Sequence, residues 1–181
     1  MGAATLYQAL SLRDGQACCL RPATRADRAA IIRNIDDVAA EQCFLPVKAY
    51  VPTTMWEHAL DSGDDHGQTY VLIVAEMGHT VMGHLRLFPD GYAHSDRHVL
   101  DVGLALREGY RGLGIGSHML NLASRWAAGA GYEKLTGSIL ANNFRALHLF
   151  LSRGYHIEGR RLKQYRLNGS FVDEILVGRA L

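Results

Sequence analysis

Residues 107–116 read REGYRGLGIG and set three glycines, Gly112, Gly114 and Gly116, at alternate positions behind Arg111. Glycine weakens helices and strands because it gives up the most backbone freedom on folding. Three within five residues therefore mark main chain kept bare for a purpose. The preceding HVLDVGLAL has strand composition. The following GSHMLNLASRWAAGAG places apolar residues at 115, 119, 122, 123, 126 and 130, a helical stripe that Gly129 and Gly131 end. A strand that passes through glycines into a helix presents unpaired N–H groups at the positive end of a helix dipole. Such a cradle suits an anion, phosphate above all, and Arg111 adds a fixed cation.

Three phosphate-binding patterns compete for this stretch. A P-loop needs Gly-Lys-Ser/Thr, but Ser117 follows Gly116 with no lysine between. A dinucleotide fingerprint needs G-x-G-x-x-G and a later acidic residue, but the spacing here is G-x-G-x-G, and Lys134 and Leu135 occupy the later region. The third, R-x-x-G-x-G, is matched by Arg111, Gly114 and Gly116.

Two stretches together carry a resemblance. YRGLGIGSHML is similar to the acyl-CoA loop of GCN5-related N-acetyltransferases, the GNAT family. NNFRALHLFLSRGY resembles that family's N-x-x-A-x-x-L-Y-x-x-x-G-F helix, with Asn143, Ala146, Leu149 and Gly154 matching. Phe150 stands where tyrosine is usual and Tyr155 where phenylalanine is usual. The resemblance implies acetyl-CoA as co-substrate, with no metal. It would lie in a cleft where strands 99–106 and 134–140 splay apart. Its diphosphate would take N–H groups of Arg111, Gly112, Leu113, Gly114, Ile115, Gly116 and Ser117. Its arm would pair with Leu104, Ala105 and Leu106 like an added strand, with Asn143 and Phe150 completing the cofactor set. A β-bulge N–H near Leu106 would face the thioester oxygen and stabilise developing charge.

The acceptor amine must lose a proton, because an alkyl ammonium has a pKa of about 10.4. Asp101 occupies the position where the family often has a glutamate base; its alternative is a strand aspartate pairing an arginine. Phe150 cannot return a proton to the departing thiolate, which leaves water, Tyr155 or Tyr110. The region EQCFLPVKAY, with Glu41 and Phe44, is the expected acceptor-specificity segment; a hydrophobic latch is its alternative. His84 is expected at the acceptor cleft, or as a satisfied strand histidine.

The elements that must hold these residues follow from the rest of the chain. CCLRPAT reads as a strand, TRADRAAIIRNIDDVAAE as a helix, and TTMWEHALDSG as a short helix capped by Thr53 or Thr54. QTYVLIVAEMGHTVMGHLRLFPD gives two strands turning near residues 77–79. KLTGSIL is a strand, and NNFRALHLFLSRG a helix capped by Asn142. Two final strands meet at Asn168–Gly169, a strong hairpin signal. The order predicts an α+β fold. By resemblance it is the GNAT fold: a central, mostly antiparallel twisted sheet with a splayed parallel strand pair, flanked by about four helices. Residues 1–18 are expected to be an N-terminal tail and 19–181 the acetyltransferase domain.

Composition narrows the partners. The 181 residues are 48% hydrophobic and 20% charged with a net charge of +1, so no nucleic acid or anionic membrane is called for. No apolar run approaches the roughly 20 residues of a membrane span. MGAATL loosely echoes a myristoylation signal but lacks serine or threonine at its sixth position. Three cysteines, Cys18, Cys19 and Cys43, make no disulfide framework and fit a reducing, cytoplasmic setting. His94 with His98, and His79 with His84, lack metal-site spacing on a common element. Arg160, Arg161, Lys163 and Arg166 alternate along a strand as a solvated face, and Trp126 belongs to the core. The expected activity is transfer of an acetyl group to a primary amine, on a small molecule or a peptide, by direct attack in a ternary complex. A non-catalytic acyl-CoA sensor or scaffold is the alternative, and the edge strand of the last hairpin offers a surface for a homodimer.

Overall fold

The computed structural model describes residues 6–62, 70–90 and 96–181. Among these residues eight strands form one sheet in the order β1-β2-β3-β4-β5-β6-β8-β7. They are β1 (Gln8–Ser11), β2 (Ala17–Pro22), β3 (Val71–Met77), β4 (Thr80–Pro89), β5 (Val99–Leu106), β6 (Lys134–Leu140), β7 (His156–Leu167) and β8 (Ser170–Ala180). Four helices flank it: α1 (Arg28–Ala40), α2 (Thr54–Ser62), α3 (Ile115–Gly129) and α4 (Phe144–Ser152). Every neighbouring pair is antiparallel except β5 and β6. The α+β GNAT architecture expected from the sequence is the one observed. His94 and the first five residues lie outside the described residues.

The parallel pair is short. Val99, Leu100 and Asp101 face Lys134, Leu135 and Thr136, and there the pairing stops. Residues 102–106 of β5 have a partner on β4 but none on β6. That gap is the splayed cleft.

Apolar faces on both sides of the sheet explain why the helices dock where they do. On one side Ile115, Met119, Leu120 and Ala123 of α3 pack against Leu85, Leu100, Val102 and Leu135, with Trp126 in the same cluster as expected. On the other side Ile31 and Ile35 of α1 cover Leu72, Val74 and Phe88. Each such fully buried aliphatic side chain contributes about 1.5–3 kcal/mol.

Three local expectations are corrected. Gln8–Ser11, inside the expected tail, pairs with β2, and the expected boundary at residue 18 falls within β2. A four-residue edge strand leaves too short a pattern to read. Asn143 rather than Asn142 caps α4, its side-chain oxygen accepting from the Ala146 N–H at 3.0 Å. The third correction concerns the bulge near Leu106. β5 runs in unbroken register against β4 from Leu100 to Leu106. The irregularity lies in β4, where Met82 is the extra residue between Val81 and Gly83, and its carbonyl accepts from the Arg107 N–H at 3.0 Å.

Candidate active site

The glycine stretch forms the cradle its spacing suggests. Gly112 and Gly114 have φ of +83° and +96°, the left-handed region that favours glycine, and Gly114 is the N-cap of α3 with no side-chain cap bond. No atom lies within 4 Å of where a Gly112 Cβ would stand, so the curve faces open space. Gly116 serves packing instead: a Cβ there would meet Leu149 at 2.9 Å and Leu104 at 3.2 Å. In front of the cradle is a cavity of about 500 Å³. Of the residues the sequence offers for cofactor binding, Leu104, Ala105, Leu106, Arg111, Gly112, Gly114, Gly116, Ser117 and Asn143 line it. Leu113 and Ile115 do not, Ile115 being buried in the core. Arg13, Arg145, His148 and Arg153 line it without having been anticipated. Arg13 comes from the β1–β2 turn and lies 3.5 Å from the Gly112 carbonyl.

Arg111 is turned away from the role its type suggests. Its guanidinium grips Glu41 at the end of α1 through both terminal nitrogens, one at 2.7 Å, and Nε donates to the Leu106 carbonyl at 2.8 Å. It also lies over the Phe44 ring at 4.5 Å. Four residues earlier on the same loop, Arg107 pairs with Asp37 of α1 at 2.8 Å. Two arginines four apart thus hold two carboxylates four apart on one helix face, and the loop is pinned to α1. Glu41, expected to touch acceptor, is consumed by this clamp and lines neither cavity.

A second cavity of about 590 Å³ opens beyond the first. Phe44, Leu45, Leu104, Ala105, Asn143 and Ala146 line both, so they form one continuous path past the unpaired part of β5. Tyr50, Trp56, His84, Arg86, Tyr165 and Glu174 complete the second. Gly103 lets Arg86 lie across β5, because a Cβ would meet its Nε at 2.6 Å.

His84 and Phe44, the other two residues the sequence offers for the acceptor, line this cavity. His84 is buried; Asn34 of α1 donates Nδ2–H to its Nδ1 at 2.8 Å, so the imidazole proton is on Nε2. Burial, with Arg86 adding to it, pushes the His84 pKa down to about 3. The ring is neutral at working pH and stands edge-on to Trp56.

Asp101 lines neither cavity. It sits in a separate depression with Asp90 and Thr136, ion-paired to Arg86 at 2.5 Å. Four residues along a strand separate it from Ala105, roughly 13 Å. Burial pushes its carboxyl above the ordinary value although Arg86 works the other way. Phe150 lines the acceptor-side cavity and is packed edge-on against Tyr155 at 4.9 Å. Tyr155 is buried in the core and Tyr110 packs against it; neither lines either cavity.

Residues from the last hairpin, Tyr165 and Glu174, close the second cavity. Glu174, only 2% exposed, accepts from Ser138 Oγ, from Tyr165 Oη at 2.7 Å and from Arg161 Nη1 at 2.8 Å. Burial would raise this carboxyl, but the three donors outweigh it and hold it below the usual range. Asp173, its neighbour, binds Arg160 and the Lys163 N–H on the outside. Strand alternation separates the two acids, but only the fold shows which faces the cavity. Among the described residues no group of three or more His, Cys, Asp or Glu is placed to hold a metal ion, and no helix is long and apolar enough to cross a membrane.

The model of the acetyltransferase (GNAT) family matches residues 33–155. Among solved structures, an acetyltransferase of the GNAT family from Streptococcus pneumoniae superposes with a TM-score of 0.80 at 23% identity, covering 91% of this chain and 99% of that one. Ribosomal-protein-alanine N-acetyltransferase from Brucella melitensis does so with 0.79 at 22%, covering 90% and 99%. YncA from Salmonella typhimurium, solved with its cofactor acetyl-CoA, gives 0.79 at 18%, covering 90% and 92%. No curated protein is similar enough to count as a relative.

Proposed function

The chain belongs to the acetyltransferase (GNAT) family, and from that premise we propose that it transfers an acetyl group from acetyl-CoA to a primary amine by direct attack within a ternary complex. One observation carries the reading: the bare cradle at the start of α3 opens into a cavity that continues, along the unpaired stretch of β5, into a second cavity walled by aromatic and polar side chains. Acetyl-CoA supplies the activated thioester.

The residues fit that group. Main chain at Gly112, Gly114, Gly116 and Ser117 would hold a diphosphate, with Arg13, Arg145 and Arg153 supplying the positive charge that Arg111 spends on Glu41. The open edge of β5 at residues 104–106 takes an extended arm as an added strand. Asn143, whose oxygen is used on α4, has its amide N–H₂ for the same arm. A regular strand N–H of β5, rather than one at a bulge, would be the donor to the thioester carbonyl. Tyr50, Trp56 and Phe44 exclude water around the acceptor, which favours its neutral form. Asp101 acts through Arg86, which it holds against the sheet. The buried Phe150–Tyr155 pair offers no proton at the cavity wall, so the proton for a departing thiolate would come from solvent.

Calorimetry with acetyl-CoA, followed by CoA-thiol release across polyamines, amino acids and peptides with free N-termini or lysines, tests the reading. Micromolar binding and turnover with one of these amines are expected. In Asp101→Asn, binding stays and turnover falls several-fold. Acetyl-CoA binding with no thiol release from any amine would make the chain a binding protein instead, and absence of binding would end the assignment.

A further inference from the structure

Three of the hydroxyl groups lining the acceptor-side cavity, those of Tyr50, Ser138 and Tyr165, share an arrangement. Tyr165 Oη lies 2.7 Å from Glu174 Oε1, Ser138 Oγ is bonded to the same oxygen, and Tyr50 Oη lies 2.7 Å from Glu57 Oε1. An ionised carboxylate can only accept, so in each pair the hydroxyl must donate. Each hydroxyl then has only lone pairs left to offer. The three come from β6, β7 and the segment before α2, and each proton is committed to a carboxylate, Glu174 at the cavity wall or Glu57 behind it.

The charge states make this fixed rather than incidental. Burial and the adjacent carboxylate both raise the Tyr165 and Tyr50 phenols, so they keep their protons. Glu174 and Glu57 are held below the usual carboxylate range by hydrogen bonds from these same tyrosines, from Ser138 and from Arg161 and Arg28. Arg161 on β7 is the charged group facing Glu174, and Arg28 on α1 faces Glu57. Nothing in either cluster changes protonation near neutral pH.

We infer that Tyr165 and Ser138 form a seat that accepts N–H bonds from the acceptor's amino nitrogen, oriented by Glu174. The inference rests on the transferase reading above and extends it by naming what the cavity recognises: a nitrogen carrying hydrogens, held by oxygen lone pairs. It also excludes a role that the presence of a tyrosine in this cavity invites. The Tyr165 proton is bound to Glu174 and is not available to the leaving thiolate. Glu174 is a positioning residue, because it acts through the two hydroxyls, whereas Tyr165 and Ser138 touch the acceptor.

The test is steady-state kinetics with the fastest amine of the panel, alongside calorimetry of acetyl-CoA and of that amine on the acetyl-CoA-loaded protein. Tyr165→Phe removes one oxygen and keeps the ring. It should raise KM for the amine about tenfold, the scale of one hydrogen bond to a charged or polar partner. kcat, its pH profile and the acetyl-CoA Kd should stay within about threefold. Ser138→Ala should act in the same direction with a smaller effect. Glu174→Gln keeps the shape but adds an amide donor, which lets Tyr165 turn its proton into the cavity; KM should rise as in Tyr165→Phe. If Glu174→Gln fails to fold, the two hydroxyl variants carry the test alone. A kcat loss of a hundredfold with unchanged KM and a lost alkaline limb would make Tyr165 the acid and overturn the inference. So would an unchanged KM in both hydroxyl variants. Acetylation that persists with KM unchanged removes only this inference. Loss of acetyl-CoA binding by the unmodified chain removes the transferase reading beneath it, and failure of every amine to bind the loaded protein removes both.

Discussion

The two cavities are adjacent and of similar size, yet they are built in opposite ways. The cofactor-side cavity is centred on the bare glycine curve of one continuous stretch, 104–117, to which α1, α4, the β1–β2 turn and the segment after α1 add apolar side chains and cations. The acceptor-side cavity is walled by residues from β4, β5, β6, β7, β8, α1, α2, α4 and the segment after α1. Main-chain N–H groups come with any sequence, so the first can be specified by where side chains are absent. The second is specified by which side chains are present. It follows that the first should be sensitive to added bulk and charge, and the second to the loss of single atoms.

Adding a side chain to the cradle gives the largest expected effect. Gly114→Glu forces a non-glycine residue to φ of +96° and sets a carboxylate where the anion belongs. Acetyl-CoA binding by calorimetry should fall by at least about a hundredfold, while the amine-side aromatic cluster keeps its near-ultraviolet circular dichroism. Near-normal binding would break the contrast between the two cavities at its root.

The acceptor wall can be probed alone through His84. Its folded pKa of about 3 lies below the ordinary 6.5, so the unfolded chain takes up the proton first. The stabilising contribution is complete above about pH 6.5 and is lost as pH falls from there toward 3. Between pH 6.5 and 5 the loss is about 2 kcal/mol. The carboxylates held low, Asp27 and Glu174, lose their contributions only at more acid pH. Urea denaturation across that range should show the slope, and His84→Gln should flatten it. An equal slope in the variant would mean that the acceptor wall is not what titrates.

A smaller effect joins the two sides. Arg111 holds both the loop and the Phe44 ring that lines both cavities. Arg111→Ala should raise the acetyl-CoA Kd and the amine KM together, each by about tenfold. A change confined to the Kd would show Arg111 serving phosphate alone.

The same contrast explains what could be read from the sequence. The cradle, β5, α3 and α4 were legible because their signals are contiguous: glycine spacing, a helical stripe and a capped helix. Even there, the type of Arg111 was informative but its partner was not, since Glu41 lies 70 residues away. The seat of Ser138, Tyr165 and Glu174 has no spacing rule, because its members meet only through the register of β6, β7 and β8. Asp101 was placed correctly on β5, and its alternative as an arginine's partner is the one observed. Strand alternation fixes which face a residue is on, not how far along that face the chemistry lies.

The three-residue parallel contact between β5 and β6 has a mechanical consequence. It is a seam between a five-strand block and a three-strand block, stitched at one end only. Thermal breathing concentrates at such a weak line, and the blocks on either side can open as separate cooperative units. A molecule lying along the open edge adds the missing stitches. Amide exchange should then slow on both blocks at once, on strands the molecule never touches.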